Sequence, residues 1–266
     1  MEVVFLTGSH PRHLHVAKCL LEAGFLKGLL IEKRPNLIPN PPAGLNEIDR
    51  NNFIRHFADR AEAEAGTFGE ISEDFFEKVN KINVTKEELN SNRVKEWVKA
   101  QTPDVVISYG VHMLSDELLD EFPEYSWNIH GGLSPWYRGC ITLFWPFYFL
   151  QPNWAGMTIH YLTSKLDAGH IIHHSVPELK YGDGIHDVAT RAVVQVGEDI
   201  VKILKKLELG VELPKERQKS SGKLFLARDW KPQHLRLIYN TFDNDIVDQY
   251  LDGNLSKLEP QLIRAF

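Results

Sequence analysis

Apolar residues recur along the chain in two alternating rhythms. The run over 2–7 (EVVFLT) is β-branched and aromatic and ends at Gly8, which predicts a strand. From Arg12 to Ala23 the apolar positions Leu14, Ala17, Cys19, Leu20 and Leu21 fall at helical spacing, and Gly24 closes that helix. Residues 27–32 (KGLLIE) predict a second strand, followed by a proline-rich break at Pro35, Pro39, Pro41 and Pro42. Strand, helix, strand in this order predicts a parallel α/β sheet. Beyond the break, 46–65 predicts a helix on which His56, Arg60 and Glu64 share one face, as an ion-paired exterior or as a contact to substrate. The pattern continues with a helix over 72–80 capped by Ser72 or Asp74, a strand over 81–85, a helix over 91–100 and an apolar strand over 103–109.

From Tyr125 onward the rhythm changes. A strand (YSWNIH, 125–130) is followed by a glycine-rich loop (131–139), an aromatic helix (141–150), a strand (156–162) and an extended segment (170–179). A long helix over 186–207 buries Ala189, Ala192, Val193, Val196 and Ile200 on one face. The expected organisation is a catalytic domain over 1–207 and a small α+β appendage over 208–266. The appendage reads as a basic linker at 214–219, a hairpin near Gly222 and two short helices, with Trp230, Leu235, Ile238, Tyr239 and Phe242 as a candidate homodimer surface.

Composition narrows the function. With 266 residues, 43% hydrophobic and 25% charged, the chain is of ordinary globular type. The net charge of −6 argues against general binding to nucleic acid or a membrane surface, so an anionic substrate must meet a local basic site. Two cysteines without a CxxC pair, no signal peptide and no apolar run long enough to span a bilayer lead to the expectation of a cytoplasmic protein.

The candidate chemistry lies in the middle of the chain. Alternation along 125–130 puts Asn128 and His130 on one face near the strand's C-terminal end, where open α/β sheets place ligands. Gly131 and Gly132 allow close backbone approach, and Leu166-Asp167-Ala168-Gly169 supplies an acidic residue in a tight loop. An amide, an imidazole and a carboxylate together can polarise a carbonyl and move a proton. His160, His170, His173 and His174 alternate along strands with no convergent carboxylate, so no metal site is expected, and His160 is expected to line the pocket or the sheet. The first loop, 7–13 (TGSHPRH), is neither a dinucleotide fingerprint nor a P-loop. Ser9 and Arg12, at a helix N-terminus, suit either an anion or simple capping.

The run Asn128-Ile129-His130, Gly131-x-Leu133-x-Pro135, Arg138-Gly139, Gly156-Met157-Thr158-Ile159-His160 and Leu166-Asp167-Ala168-Gly169 closely resembles the formyltransferase family. The resemblance covers the chain to about residue 205 and is densest over 103–172. It departs from the commoner form at Ser134 and Cys140, which bears on the acceptor contacts. It implies a Rossmann-like formyltransferase fold with a mainly parallel sheet, a 10-formyltetrahydrofolate donor and an amine acceptor, with no metal. It places the catalytic triad on Asn128, His130 and Asp167. In the implied mechanism, Asn128 and a protonated His130 donate to the formyl oxygen, while Asp167 keeps His130 charged and takes the amine proton. The folate loop falls on Gly110, Val111, His112, Met113 and Leu114, with Gly139 beside it.

The tail from 207 to the end carries nine basic and nine acidic residues, unlike the basic barrel that a methionyl-tRNA formyltransferase needs. Glycinamide ribonucleotide enzymes normally lack both the 35–80 insertion and the tail. The chain looks most like the nucleotide-sugar N-formyltransferases, which serve surface polysaccharides such as O-antigen and lipopolysaccharide. Ser9, His10, Arg12, His13 and Arg60 are the candidate substrate contacts. The alternatives are a formyltransferase acting on methionyl-tRNA or glycinamide ribonucleotide, a formyltetrahydrofolate hydrolase and, last, a non-catalytic folate or nucleotide binder.

Overall fold

Element order in the computed structural model, which describes residues 1–34, 38–219 and 222–266, begins β1 (Val3–Gly8), α1 (Pro11–Glu22), β2 (Leu26–Glu32). It continues α2 (Glu47–Phe68), β3 (Asn80–Val84), α3 (Asn92–Gln101), β4 (Val105–Tyr109), α4 (Asp116–Leu119), β5 (Tyr125–His130), β6 (Tyr137–Gly139) and α5 (Trp145–Tyr148). It closes with β7 (Met157–Tyr161), β8 (Ile171–Ser175), α6 (Ile185–Glu208), β9 (Lys223–Phe225) and α7 (Ile246–Leu251). Pro35 of the proline-rich break lies outside the described residues.

Seven strands form one α/β sheet in the order β3-β2-β1-β4-β5-β7-β8. The β3-β2, β2-β1, β1-β4 and β4-β5 pairings are parallel, and β7 and β8 are antiparallel additions. The chain builds outward from β1 to β3 and then returns to the other side of β1 with β4. That reversal leaves a crevice at the carboxyl ends of β1 and β4, at Gly8 and Gly110.

The central parallel strands β1, β2 and β4 are largely apolar on both faces because both are covered. Val3, Phe5, Leu29, Ile31, Val105 and Ile107 pack with residues of α1 and α6, while Val4, Leu6, Leu30 and Val106 pack with residues of α3 and α4. Leu235, Ile238 and Tyr239 from the tail are buried in a further cluster with Phe53, Phe144, Phe147 and Ile185. Arg236 donates a fork of hydrogen bonds to Asp49 on α2 at 2.7 and 2.8 Å. The expected dimer face at Leu235, Ile238 and Tyr239 is therefore occupied by the chain's own core.

Four local expectations are corrected. The helix expected over 72–80 is a single 3₁₀ turn, Glu73–Phe76, because Asn80 already pairs with β2 and too few residues remain to nucleate a helix. The aromatic helix over 141–150 is confined to Trp145–Tyr148, between left-handed Ile141 (φ 58°) and Leu150 (φ 57°). Around Gly222 there is no hairpin in the described residues; β9 instead pairs parallel with β6, Tyr137 opposite Lys223. On α2, His56 and Glu64 face inward and are buried, so the ion-paired exterior gives way to a cavity wall. No helix among the described residues is long and apolar enough to cross a membrane.

Candidate active site

Strand register assembles the site. Ser108 of β4 pairs with Asn128 of β5, and Asn128 lies opposite His160 of β7, giving a polar row across three strands. The Ser108 hydroxyl donates to Asn128 Oδ1 at 2.8 Å, and Asn128 Nδ2 lies 3.2 Å from His160 Nε2. The Tyr161 carbonyl, 2.8 Å from His160 Nδ1, can only accept, so Nδ1 donates to it and Nε2 is left to face the Asn128 amide. This fixes the Asn128 amide with one N–H on His160 and the second unused by that bond.

His130 follows the same logic. Its Nε2 donates to the Tyr137 carbonyl at 2.8 Å, so Nδ1 is the titrating nitrogen, 3.5 Å from Asp167 Oδ1. Asp167 Oδ1 also lies 3.6 Å from His160 Nε2. Asp167 sits at φ 47°, a conformation that non-glycine residues seldom adopt. The loop is held from both sides: Gly139 N–H donates to Asp167 Oδ2 at 2.9 Å, and Gln218 Nε2 donates to the carbonyls of Asp167 and Gly169 at 2.7 Å each.

Burial pushes His130 below its ordinary pKa, outweighing the opposing pull of Asp167. The resting imidazole is therefore neutral at pH 7, where the sequence reading has it charged. Burial also works to raise the Asp167 carboxyl, but the positive charge that His130 carries when protonated and the N–H that Gly139 donates to Oδ2 outweigh it and hold it at about 2. The result is a carboxylate facing a neutral ring whose free lone pair points toward it. That ring can take a proton, and the resulting imidazolium is stabilised in place.

These groups line a cleft of about 540 Å³ between the loop from Gly110 to Leu114 and the loop from Leu162 to Asp167. Gly139 lies in its wall. Met113, 62% exposed, and Leu166, 42% exposed, also line it and leave apolar surface uncovered.

A second cavity of about 340 Å³ is lined by Arg12, His13, His56, Arg60, Glu64 and His186 among others, and it shares Tyr109, Gly131 and Thr142 with the first. Arg12 pairs with Glu64 at 2.6 Å and donates to His10 at 2.8 Å. Burial holds His13 and His56 well below their ordinary pKa and takes His186 to about 3. Burial lowers Arg60 to about 10, which leaves it charged. The cavity's charge therefore comes from two arginines against one glutamate, and His13 adds none. Ser9 and His10 are not in its lining; Ser9 accepts the Arg34 N–H at 2.9 Å. The His13 ring is wedged between Gly8 and Gly110, where an added methyl would stand 2.4 and 2.3 Å from it.

Sequence reasoning missed Ser108, the Tyr137 carbonyl and Gln218, and gave His160 no specific role. The matched parity of Ser108, Asn128 and His160 was available in the strand patterns. Gln218 comes from irregular chain that no periodicity marks. Among the described residues no group of three or more His, Cys, Asp and Glu could hold a metal ion.

A family model described as formyl transferase matches residues 54–203. Phosphoribosylglycinamide formyltransferase from Anaplasma phagocytophilum is similar in structure, with TM-score 0.54 and 18% identity over 85% of this chain and 97% of that one. A formyltransferase from Anoxybacillus kamchatkensis, in complex with UDP-4,6-dideoxy-4-formamido-L-AltNAc and tetrahydrofolate, gives 0.53 and 16% over 92% and 96%. An N-formyltransferase from Helicobacter canadensis, in complex with folinic acid and dTDP-3-aminofucose, gives 0.51 and 14% over 86% and 72%. At these identities the structural likeness establishes the fold.

Proposed function

The chain belongs to the formyl transferase family, and on that premise we propose that it transfers a formyl group from 10-formyltetrahydrofolate to the amino group of a nucleotide-linked amino deoxysugar. The observation that carries this reading is the convergence of Asn128, His130 and Asp167 on one cleft, with His130 Nδ1 3.5 Å from Asp167. When bound, the donor supplies an electrophilic formyl carbon. The second N–H of Asn128 then faces the oxygen on which charge grows, its orientation fixed by Ser108 and His160. Neutral His130 takes the proton that the attacking amine loses, directly or through one water. Asp167 stabilises the imidazolium, which returns that proton to the departing folate nitrogen. The proton count closes with His130 neutral and Asp167 ionised, as at the start.

The acceptor assignment is supported by the second cavity and by the two structural neighbours whose complexes hold nucleotide sugars. A single sugar ring matches a 340 Å³ space, with Arg12, Arg60 and Glu64 for its hydroxyls and Phe144, Ile185 and Val193 for its deoxygenated carbons. Incubation with 10-formyltetrahydrofolate and a panel of UDP- and dTDP-amino sugars is expected to yield a formamido product from at least one. Formylation of glycinamide ribonucleotide or methionyl-tRNA instead would overturn the acceptor, and donor consumption without any amine would identify a hydrolase.

A neutral His130 also sets the pH response. The ring is active above its pKa, and burial depresses that pKa. Turnover at saturating substrates is therefore expected to rise with pH along a limb centred below 6.5, the ordinary histidine value, and to level off above it. An acid limb centred above 7 would contradict the neutral resting ring.

A further inference from the structure

The loop from Gly110 to Leu114 is held by a set of side chains outside the catalytic row. Glu32, the last residue of β2, is fully buried, and its Oε2 accepts the His112 backbone N–H at 2.8 Å. Its Oε1 accepts from the His112 ring through Nδ1 and lies 3.4 Å from Arg34 Nη1. Arg34 in turn donates Nε at 2.9 Å, and Nη2 as well, to the Gly110 carbonyl. Its backbone N–H reaches Ser9. On the far side of the loop Asn90 donates to the Met113 carbonyl at 3.0 Å and accepts the Ser115 N–H at 2.8 Å.

A carboxylate removed from water is costly unless hydrogen bonds and an opposite charge compensate it. Here the compensating partners are the backbone and ring of His112 and the guanidinium of Arg34. Arg34 lines the cleft, yet its nitrogens are engaged with the Gly110 carbonyl, His112 Nε2 at 3.2 Å and Glu32, so it acts on the loop and not as a ligand contact. We infer that Glu32 and Arg34 are positioning residues that hold the peptide groups of Gly110 to His112 in the conformation that receives the folate donor. Gly110, at φ 70° and packed on the His13 ring, gives this loop its starting direction, and the Glu32–Arg34 pair fixes the next two residues. A preformed wall spares the ordering cost at the moment of binding, so the pair contributes to donor affinity without touching the donor.

This inference rests on the folate reading above, and two measurements separate the two. The first needs no ligand. Hydrogen exchange of the 110–115 amides is expected to accelerate at least tenfold in Arg34→Ala and Glu32→Gln, while amides of β5 keep the parent rate. The second is direct binding of folinic acid as an unreactive probe, together with steady-state kinetics at saturating acceptor. Both variants are expected to bind the probe about tenfold or more weakly and to raise KM for the donor by a similar factor, with kcat within threefold. Arg34→Lys, which keeps the charge but loses the fork onto Gly110, is expected to fall between. Parent-like loop exchange, or parent-like probe affinity in both variants, overturns the inference. A parent protein that fails to bind the probe overturns the folate reading and leaves the exchange result as the test of the loop. If Glu32→Gln fails to fold, Arg34→Ala and Arg34→Lys carry the comparison.

Discussion

Asp167→Asn is expected to lower kcat by about a hundredfold to ten-thousandfold while leaving the fold intact. Asparagine keeps the shape and can still accept the Gly139 N–H, so the loop stays in place. The charge that stabilises protonated His130 is lost. Asp167 is also the group that pulls the His130 pKa upward against burial. Removing it lowers that pKa further, so whatever activity remains should show its acid limb at lower pH than the parent. Loss of rate with an unchanged limb would mean that Asp167 acts on something other than His130. A kcat within threefold of the parent would remove Asp167 from the chemistry altogether.

Gly169→Ala is expected to cost about a hundredfold in kcat, although the residue carries no functional group. A Cβ there would stand 1.8 Å from the Tyr161 carbonyl oxygen and 2.7 Å from its carbon, backbone atoms that belong to β7. The loop must move away by more than 1 Å, and it carries Asp167 with it. Misplacing a reacting group by about 1 Å commonly costs two orders of magnitude. The same Tyr161 oxygen fixes the His160 tautomer, so the disturbance reaches Asn128 as well. Gly66→Ala is the matched control: on α2, with nothing within 4 Å of the added methyl, it should leave kcat at the parent value. Equal losses in the two variants would show that general destabilisation, not loop geometry, sets the rate.

The parallel half of the sheet was legible because its central strands are largely apolar on both faces and its helices are amphipathic. Periodicity reports such burial directly, as in Val3 to Leu6 and Val105 to Ile107. The turn at 73–76, the shortened aromatic helix and the parallel pairing of β9 were misread for a different reason. Each is decided by partners remote in sequence, such as β2 for Asn80 and β6 for Lys223. Trp230 to Phe242 read as an outward dimer face because an apolar stripe does not say whether it meets another chain or its own. The structure gives Leu235, Ile238 and Tyr239 to Phe53, Phe144 and Ile185.

What the amino-acid order determined by itself is the class of sheet, the family resemblance and the presence of an amide, an imidazole and a carboxylate at characteristic spacings. Those are local properties, written in residue type and period. Tertiary structure alone decided the protonation of His130, the orientation of Asn128 and the anchoring of the 110–114 loop by Glu32 and Arg34. Each depends on how much water is excluded and on which acceptor stands opposite a given nitrogen. Both are settled only when Tyr137, Tyr161 and Gly110 arrive beside side chains far from them in the chain.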